Sequence, residues 1–207
     1  MQKLAVFDFD STLVNAETIE CLAKAWGALE EVQHITSKAM NGEIDFYKSL
    51  VERVSKLKNM PLKLAKEVCE NLPLHKGATE LINALKAKGY KIVCFSGGFD
   101  LATNYYRDLL NLDASFSNTL CVENNVLNGL VGGHMMFSHS KGTMLLALQR
   151  LLSIKKENTL VVGDGANDLS MFMHAHTKIA FNAKEILKQH ATHCIDEPNL
   201  ALIKPYI

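Results

Sequence analysis

Leu4-Ala5-Val6-Phe7-Asp8-Phe9-Asp10-Ser11-Thr12 lies close to the N-terminus and changes character halfway along. Residues 4–7 form an unbroken apolar run, which reads as a buried strand. Side chains alternate across a strand, so Asp8 and Asp10 face one way and Phe9 the other. Two strand steps put the two carboxylates roughly 7 Å apart. At an effective dielectric of about 20 their repulsion is about 2 kcal/mol. A sheet with such a pair at its mouth needs a cation or a shared proton to offset that repulsion. The same residues also suit a strand running into an ordinary Asp/Ser/Thr turn. Residues far downstream decide between the two.

Residues 15–73 carry helical periodicity and no strand signal. Ile19, Leu22, Trp26, Leu29, Val32, Ile35 and Met40 form one long stretch that Asn41-Gly42 interrupts. Tyr47, Leu50, Val54 and Leu57 mark a second helix. Pro61 suits the first turn of a third, which Pro73 closes. From Lys76 the pattern alternates between helix and strand. Strands are predicted at Lys91–Phe95, Thr159–Val162, Ile179–Phe181 and Cys194-Ile195, with a hairpin turning at Asn124-Asn125. Alternation of this kind specifies an α/β fold with an open, mostly parallel, Rossmann-like sheet. The expected organisation is a core domain of residues 1–14 and 74–207, with residues 15–73 inserted after the first strand as a small helical cap.

Polar clusters fall at three predicted strand ends: Asp8 with Asp10, Ser96-Gly97-Gly98, and Gly163-Asp164-Gly165-Ala166-Asn167-Asp168. In open α/β sheets that is where ligands bind. Ser96 offers a hydroxyl, and Gly97 and Gly98 let backbone N–H groups approach a phosphate oxygen. Asp164, Asn167 and Asp168 add hard oxygen ligands suited to Mg²⁺. Taken singly, each cluster is also ordinary turn or helix-cap chemistry. Lys141, at the start of a predicted helix, would supply a fixed positive charge to balance the carboxylates.

The 207 residues are 48% hydrophobic, and 22 basic residues balance 22 acidic ones. With no basic run and no aromatic-basic interleaving, neither nucleic acid nor an anionic membrane is an expected partner. No apolar stretch approaches a membrane span, and no signal-peptide pattern precedes the first strand. Five widely spaced cysteines without a Cys-x-x-Cys pair read as buried reduced thiols of a cytoplasmic protein. The eight histidines offer no convincing ligand set.

Asp8-Phe9-Asp10-Ser11-Thr12-Leu13-Val14, Ser96, Lys141 and Gly163 through Asp168 resemble, in that order, the four motifs of the haloacid dehalogenase superfamily of phosphotransferases. The resemblance spans nearly the whole chain. Asp8 through Ile19, Ser96 through Asp100 and Val162 through Met171 further resemble the branch whose substrate is O-phosphoserine. It implies Asp8 as nucleophile, Asp10 as general acid and base, and Mg²⁺ on Asp8, the Asp10 carbonyl and Asp164, with Asp168 in support. Lys141, Ser96, Gly97 and Asn167 would hold the phosphoryl group. Glu17 would meet the substrate ammonium and Arg53 its carboxylate, with Met40 and Phe46 shaping the pocket. The implied activity is the last step of serine biosynthesis, carried out by a monomer or homodimer. The alternative within the superfamily passes the phosphoryl group to another alcohol, such as homoserine.

Overall fold

The protein's architecture, taken from a computed structural model that describes residues 2–207, is a mostly parallel sheet covered on both faces. In chain order its strands are β1 (Lys3–Asp8), β2 (Tyr90–Phe99), β3 (Ala114–Glu123), β4 (Val126–Gly133), β5 (Thr159–Gly163), β6 (Thr177–Phe181) and β7 (His193–Ile195). The helices are α1 (Thr18–Trp26), α2 (Leu29–Met40), α3 (Phe46–Ser55), α4 (Leu62–Glu70), α5 (Ala78–Ala87), α6 (Asp100–Leu109), α7 (Ser140–Leu152), α8 (Leu169–Phe172) and α9 (Glu185–Lys188). None of these helices is long and apolar enough to cross a membrane.

β1 is apolar from Leu4 to Phe7 because it is central, and only Asp8 at its carboxyl end breaks the run. It pairs in parallel with β2 on one side and with β5 on the other, Val6 lying opposite both Val93 and Val161. The sheet order is β4-β3-β2-β1-β5-β6-β7, and only β4 runs antiparallel to its neighbour. The chain winds outward from β1 in one direction and then, from β5, in the other. The carboxyl ends of β1 and β5 therefore flank the topological switch point, where a crevice opens. Alternate residues feed the two faces. Ala5, Phe7, Ile92, Leu160 and Val162 join a cluster with α5 and the inserted helices, whereas Leu4, Val6, Val93 and Val161 pack with Leu145, Phe172 and Leu187.

The structure corrects several sequence expectations. The long helix expected before Asn41 is two helices, α1 and α2. Gly27 adopts φ 81°, and its N–H caps the carbonyls of Ala23 and Lys24. The strand expected to stop at Phe95 continues to Phe99, so Ser96, Gly97 and Gly98 lie within β2. The register with β3 slips there: Phe95 faces Phe116 and Phe99 faces Asn118, leaving three residues of β2 opposite one of β3. That is a bulge rather than a turn, and it pushes Ser96–Gly98 out of the ladder. On α6, Ala102, Thr103 and Tyr106 are buried while Tyr105 and Leu109 lie outside. All five cysteines are free as expected, but only Cys69 and Cys94 are buried, and Cys194 is exposed.

Candidate active site

A cavity of about 310 Å³ opens at the switch point. Its floor comes from strand ends: Asp8 from β1, Asp10 just beyond it, Gly97 from the β2 bulge, and Asp164 and Asn167 after β5. Its roof comes from the inserted helices through Glu17, Met40, Phe46 and Arg53. The structure thus brings nine of the residues singled out from sequence to one cavity. Ser96, Lys141 and Asp168 do not line it; they are buried directly behind. Phe46 of α3 lies against Gly97, with its Cζ 3.1 Å from where a Cβ would stand, so roof and floor touch at that point.

Asp8 is held asymmetrically. Its Oδ1 accepts from the Phe9 N–H at 2.7 Å and from Lys141 Nζ at 2.6 Å. Its Oδ2 has no protein donor among the described residues. One oxygen is fixed and the other is available to react. The same Nζ lies 2.6 Å from Asp168 Oδ1, and Asp168 Oδ2 accepts from the Asp164 and Gly165 amides. Burial by itself would lower the Lys141 pKa, but the charges of Asp168 and Asp8 outweigh it and raise the group above its ordinary value. Lys141, only 3% exposed, is a permanently charged anchor between two carboxylates.

The acids differ in electrostatic surroundings. Burial, reinforced by the charge of Glu17, pushes Asp10 up to about 7, against the lowering effect of the Thr18 hydroxyl and amide that donate to its Oδ1. Burial and the nearby Asp8 and Asp168 charges push Asp164 up to about 9. Burial and the Asp8 charge raise Asp168 to about 6, with Lys141 opposing. These are the marks of carboxylates withdrawn from water, with further negative charge packed beside them. One oxygen from each of Asp8, Asp164 and Asp168 lies within 4.8 Å of the others. Three hard oxygen donors with uncompensated charge fit a small divalent cation. Asp168 already spends both oxygens on protein donors, so Asp8 and Asp164 are the freer ligands.

On the roof, Glu17 precedes α1 and accepts from the Ser11 hydroxyl at 2.7 Å. Arg53 lies in the last turn of α3, its Nε donating to the Ser49 carbonyl at 3.3 Å. Burial lowers the Arg53 pKa, while Glu17, Asp10 and Glu20 act to restore it. An acid and a base therefore face the reactive carboxylates from one wall, a pattern that suits a zwitterionic ligand. The sequence reading missed three residues that share this lining: Glu20, Thr36 and Lys184. Glu20, in the first turn of α1, lies three positions after Glu17 at the helix cap, a spacing that would have revealed it. Lys184 follows β6, a fourth strand end, and its amide donates to the Asp164 carbonyl at 2.9 Å.

A half-free carboxylate beside a fixed lysine, an acid pushed up to about 7 and a glycine bulge is equipped for phosphoryl transfer. A family model described as haloacid dehalogenase-like hydrolase matches residues 2–176. The chain is 53% identical over 205 residues to the phosphoserine phosphatase of Wolinella succinogenes, spanning 99% of this chain and 100% of that one. Among solved structures, it superposes on a substrate-bound phosphoserine phosphatase complex with a TM-score of 0.95 and 44% identity, covering 100% of this chain and 99% of the other. A phospho-aspartyl intermediate analogue of phosphoserine phosphatase gives a TM-score of 0.94 and 45% identity, with the same coverage. The chain is a phosphatase that belongs to the haloacid dehalogenase-like hydrolases and, within them, to the phosphoserine phosphatase family.

Proposed function

We propose that the protein hydrolyses O-phosphoserine to serine and phosphate, with Mg²⁺, as the last step of serine biosynthesis in the cytoplasm. The observation that carries this reading is the facing of Glu17 and Arg53 across one cavity from Asp8. A substrate with an ammonium, a carboxylate and a phosphate finds a complementary group for each. Residues 15–73 act as the specificity cap, Arg53 binding the carboxylate, Glu17 the ammonium, and Met40 and Phe46 bounding the side-chain space.

Asp8 Oδ2 attacks phosphorus; the new P–O bond forms as the bond to the serine oxygen breaks, giving an aspartyl-phosphate. Asp10 gives its proton to the departing serine oxygen. It then takes one from the water that attacks phosphorus and frees Asp8. A carboxyl pushed up to about 7 suits both directions near neutral pH. Gly97 and Asn167, in the cavity wall, steady the phosphoryl oxygens, with Lys141 and Ser96 acting on them from directly behind that wall. Mg²⁺, held by Asp8, the Asp10 carbonyl and Asp164 with Asp168 in support, would neutralise charge on the phosphoryl group.

The test measures phosphate release from O-phosphoserine, phosphothreonine and sugar phosphates, with Mg²⁺ and with chelator, and repeats the O-phosphoserine assay with homoserine added. O-Phosphoserine should be the preferred substrate, and the chelator should abolish turnover. Formation of homoserine phosphate would reassign the acceptor. Asp8→Asn should remove both turnover and the acid-stable phosphorylated protein; retained turnover would sink the nucleophile assignment.

A further inference from the structure

The β2 bulge creates a backbone problem that the site must solve. Between Phe95 and Phe99 the ladder with β3 is interrupted, so the peptide joining Gly97 to Gly98 loses its strand partner. A buried peptide left unpaired is costly and free to reorient. Here both of its ends are pinned. The Gly98 N–H donates to Ser96 Oγ at 2.8 Å, and the Gly97 carbonyl accepts from Asn118 Nδ2 at 3.0 Å.

Asn118 is fully buried in β3, and every hydrogen bond of its side chain is made to backbone. Besides Gly97, Nδ2 donates to the Met135 carbonyl at 3.2 Å and Oδ1 accepts from the Met135 N–H at 2.9 Å. Met135 lies on the segment running from β4 into α7, the helix that carries Lys141. One carboxamide therefore ties the glycine bulge to the approach of the lysine helix. The fold makes room for it at Gly133, its partner across β3 and β4. That residue has φ 141°, and a Cβ there would stand 2.6 Å from Asn118 Cα and 2.9 Å from its Oδ1.

We infer that Asn118 is a positioning residue for phosphoryl binding, replacing the missing strand partner so that the Ser96–Gly98 bulge keeps the shape that receives phosphate. This rests on the proposed role of that bulge. Asn118→Asp preserves volume and the acceptor for Met135 N–H, but turns an oxygen toward the carbonyls of Gly97 and Met135. Inhibition constants for inorganic phosphate and for L-serine are compared, well below each variant's melting temperature. Losing the Nδ2 donor that holds the Gly97 carbonyl should raise the phosphate constant about tenfold and lower kcat by at least about tenfold, with the serine constant within about twofold. Equal changes for phosphate and serine, or a lower melting temperature alone, would overturn the inference.

If Asn118→Asp does not fold, Asn118→Ser takes its place, because it removes the Nδ2 donor to the Gly97 and Met135 carbonyls without placing a carboxylate in the core. Ser96→Ala separates the two levels of argument. Weaker phosphate inhibition in Ser96→Ala but not in Asn118→Asp would reject Asn118 and keep the bulge. Unchanged phosphate inhibition in both would reject the bulge as the phosphate site, and the inference with it.

Discussion

The carboxylate-binding role proposed for Arg53 draws on burial as much as on charge. On α3 it follows Phe46 and Leu50 at helical spacing, so its stem borders the apolar face while the guanidinium reaches the cavity. A half-buried cation among Glu17, Asp10 and Glu20 is attracted to them, yet the cavity leaves space for a ligand carboxylate. Arg53→Ala should lower kcat/KM for O-phosphoserine by about 100-fold, the scale of a lost charge-assisted bidentate pair, and change an aryl phosphate by less than about threefold. Arg53→Lys should recover only part of the loss, since a point charge cannot form the fork. Equal losses on the two substrates would make Arg53 structural. Residues of this kind were partly legible in the sequence. Asp8, Asp10 and Asp164 stood out because several polar clusters converge on the carboxyl ends of one sheet, although each alone would pass as a turn. Lys141 and Ser96 were legible by type, but not as buried groups behind the cavity wall. Asn118 carried no signal, because its partner is a carbonyl exposed only by a bulge that residue types do not announce.

At the scale of elements, backbone hydrogen bonds tie the inserted helices to the rest of the described chain at two places. The linkers on either side pair with each other, Asn15 N–H donating to the Pro73 carbonyl at 2.8 Å and His75 N–H to Leu13 at 2.9 Å. At the far end, the segment between α3 and α4 docks on the β3–β4 hairpin. Asn59 N–H donates to Leu127 at 2.7 Å, Leu127 N–H to Met60 at 2.8 Å, and Leu62 N–H to Asn125 at 2.9 Å. Any opening of the roof that keeps this strap intact carries the hairpin with it. Amide exchange at Asn59, Leu62 and Leu127 should therefore be slow and should share one protection level with the β3–β4 ladder. Rapid exchange at Asn59 and Leu62 beside a protected ladder would show that the roof moves without the hairpin. The hairpin itself was readable from Asn124-Asn125, whose φ values of 50° and 63° fit its two-residue turn. The strap was not, being made of backbone groups with no side-chain signature. The break at Gly27 was missed because apolar spacing from Ile19 to Val32 continues across it, and spacing alone cannot show a left-handed residue.

For the molecule as a whole, the same crowding of carboxylates that equips the site also loads the fold. Asp10, Asp164 and Asp168 stand at about 7, 9 and 6 in the folded protein, all above the ordinary 3.8. A group whose pKa is raised by folding holds a proton that the unfolded chain has already released, so its contribution is present below about pH 4 and is lost as pH rises through the folded value. Without metal, these acids should make the protein progressively less stable from about pH 4 to about pH 9. His75 acts in the opposite sense. Burial lowers its pKa, against a bond to the Ser11 backbone that raises it, so its contribution improves as pH rises toward about 6.5 and is constant above. Above neutrality the carboxylate effect continues, joined from about pH 8 by the buried Cys69 and Cys94 thiols, whose raised pKa values act in the same direction with or without metal. Mg²⁺ bound as proposed would replace those protons as counter-charge, and its binding should become more stabilising as they leave. The rise in melting temperature caused by saturating Mg²⁺ over chelator should therefore be larger at pH 8.5 than at pH 6, by about 3 °C for each additional kcal/mol in a chain of this size. Asp164→Asn, which removes the most strongly shifted acid, should flatten both the pH dependence and the metal effect. A metal-induced rise that stays constant with pH would mean that the cation and these protons do not compete for the same oxygens.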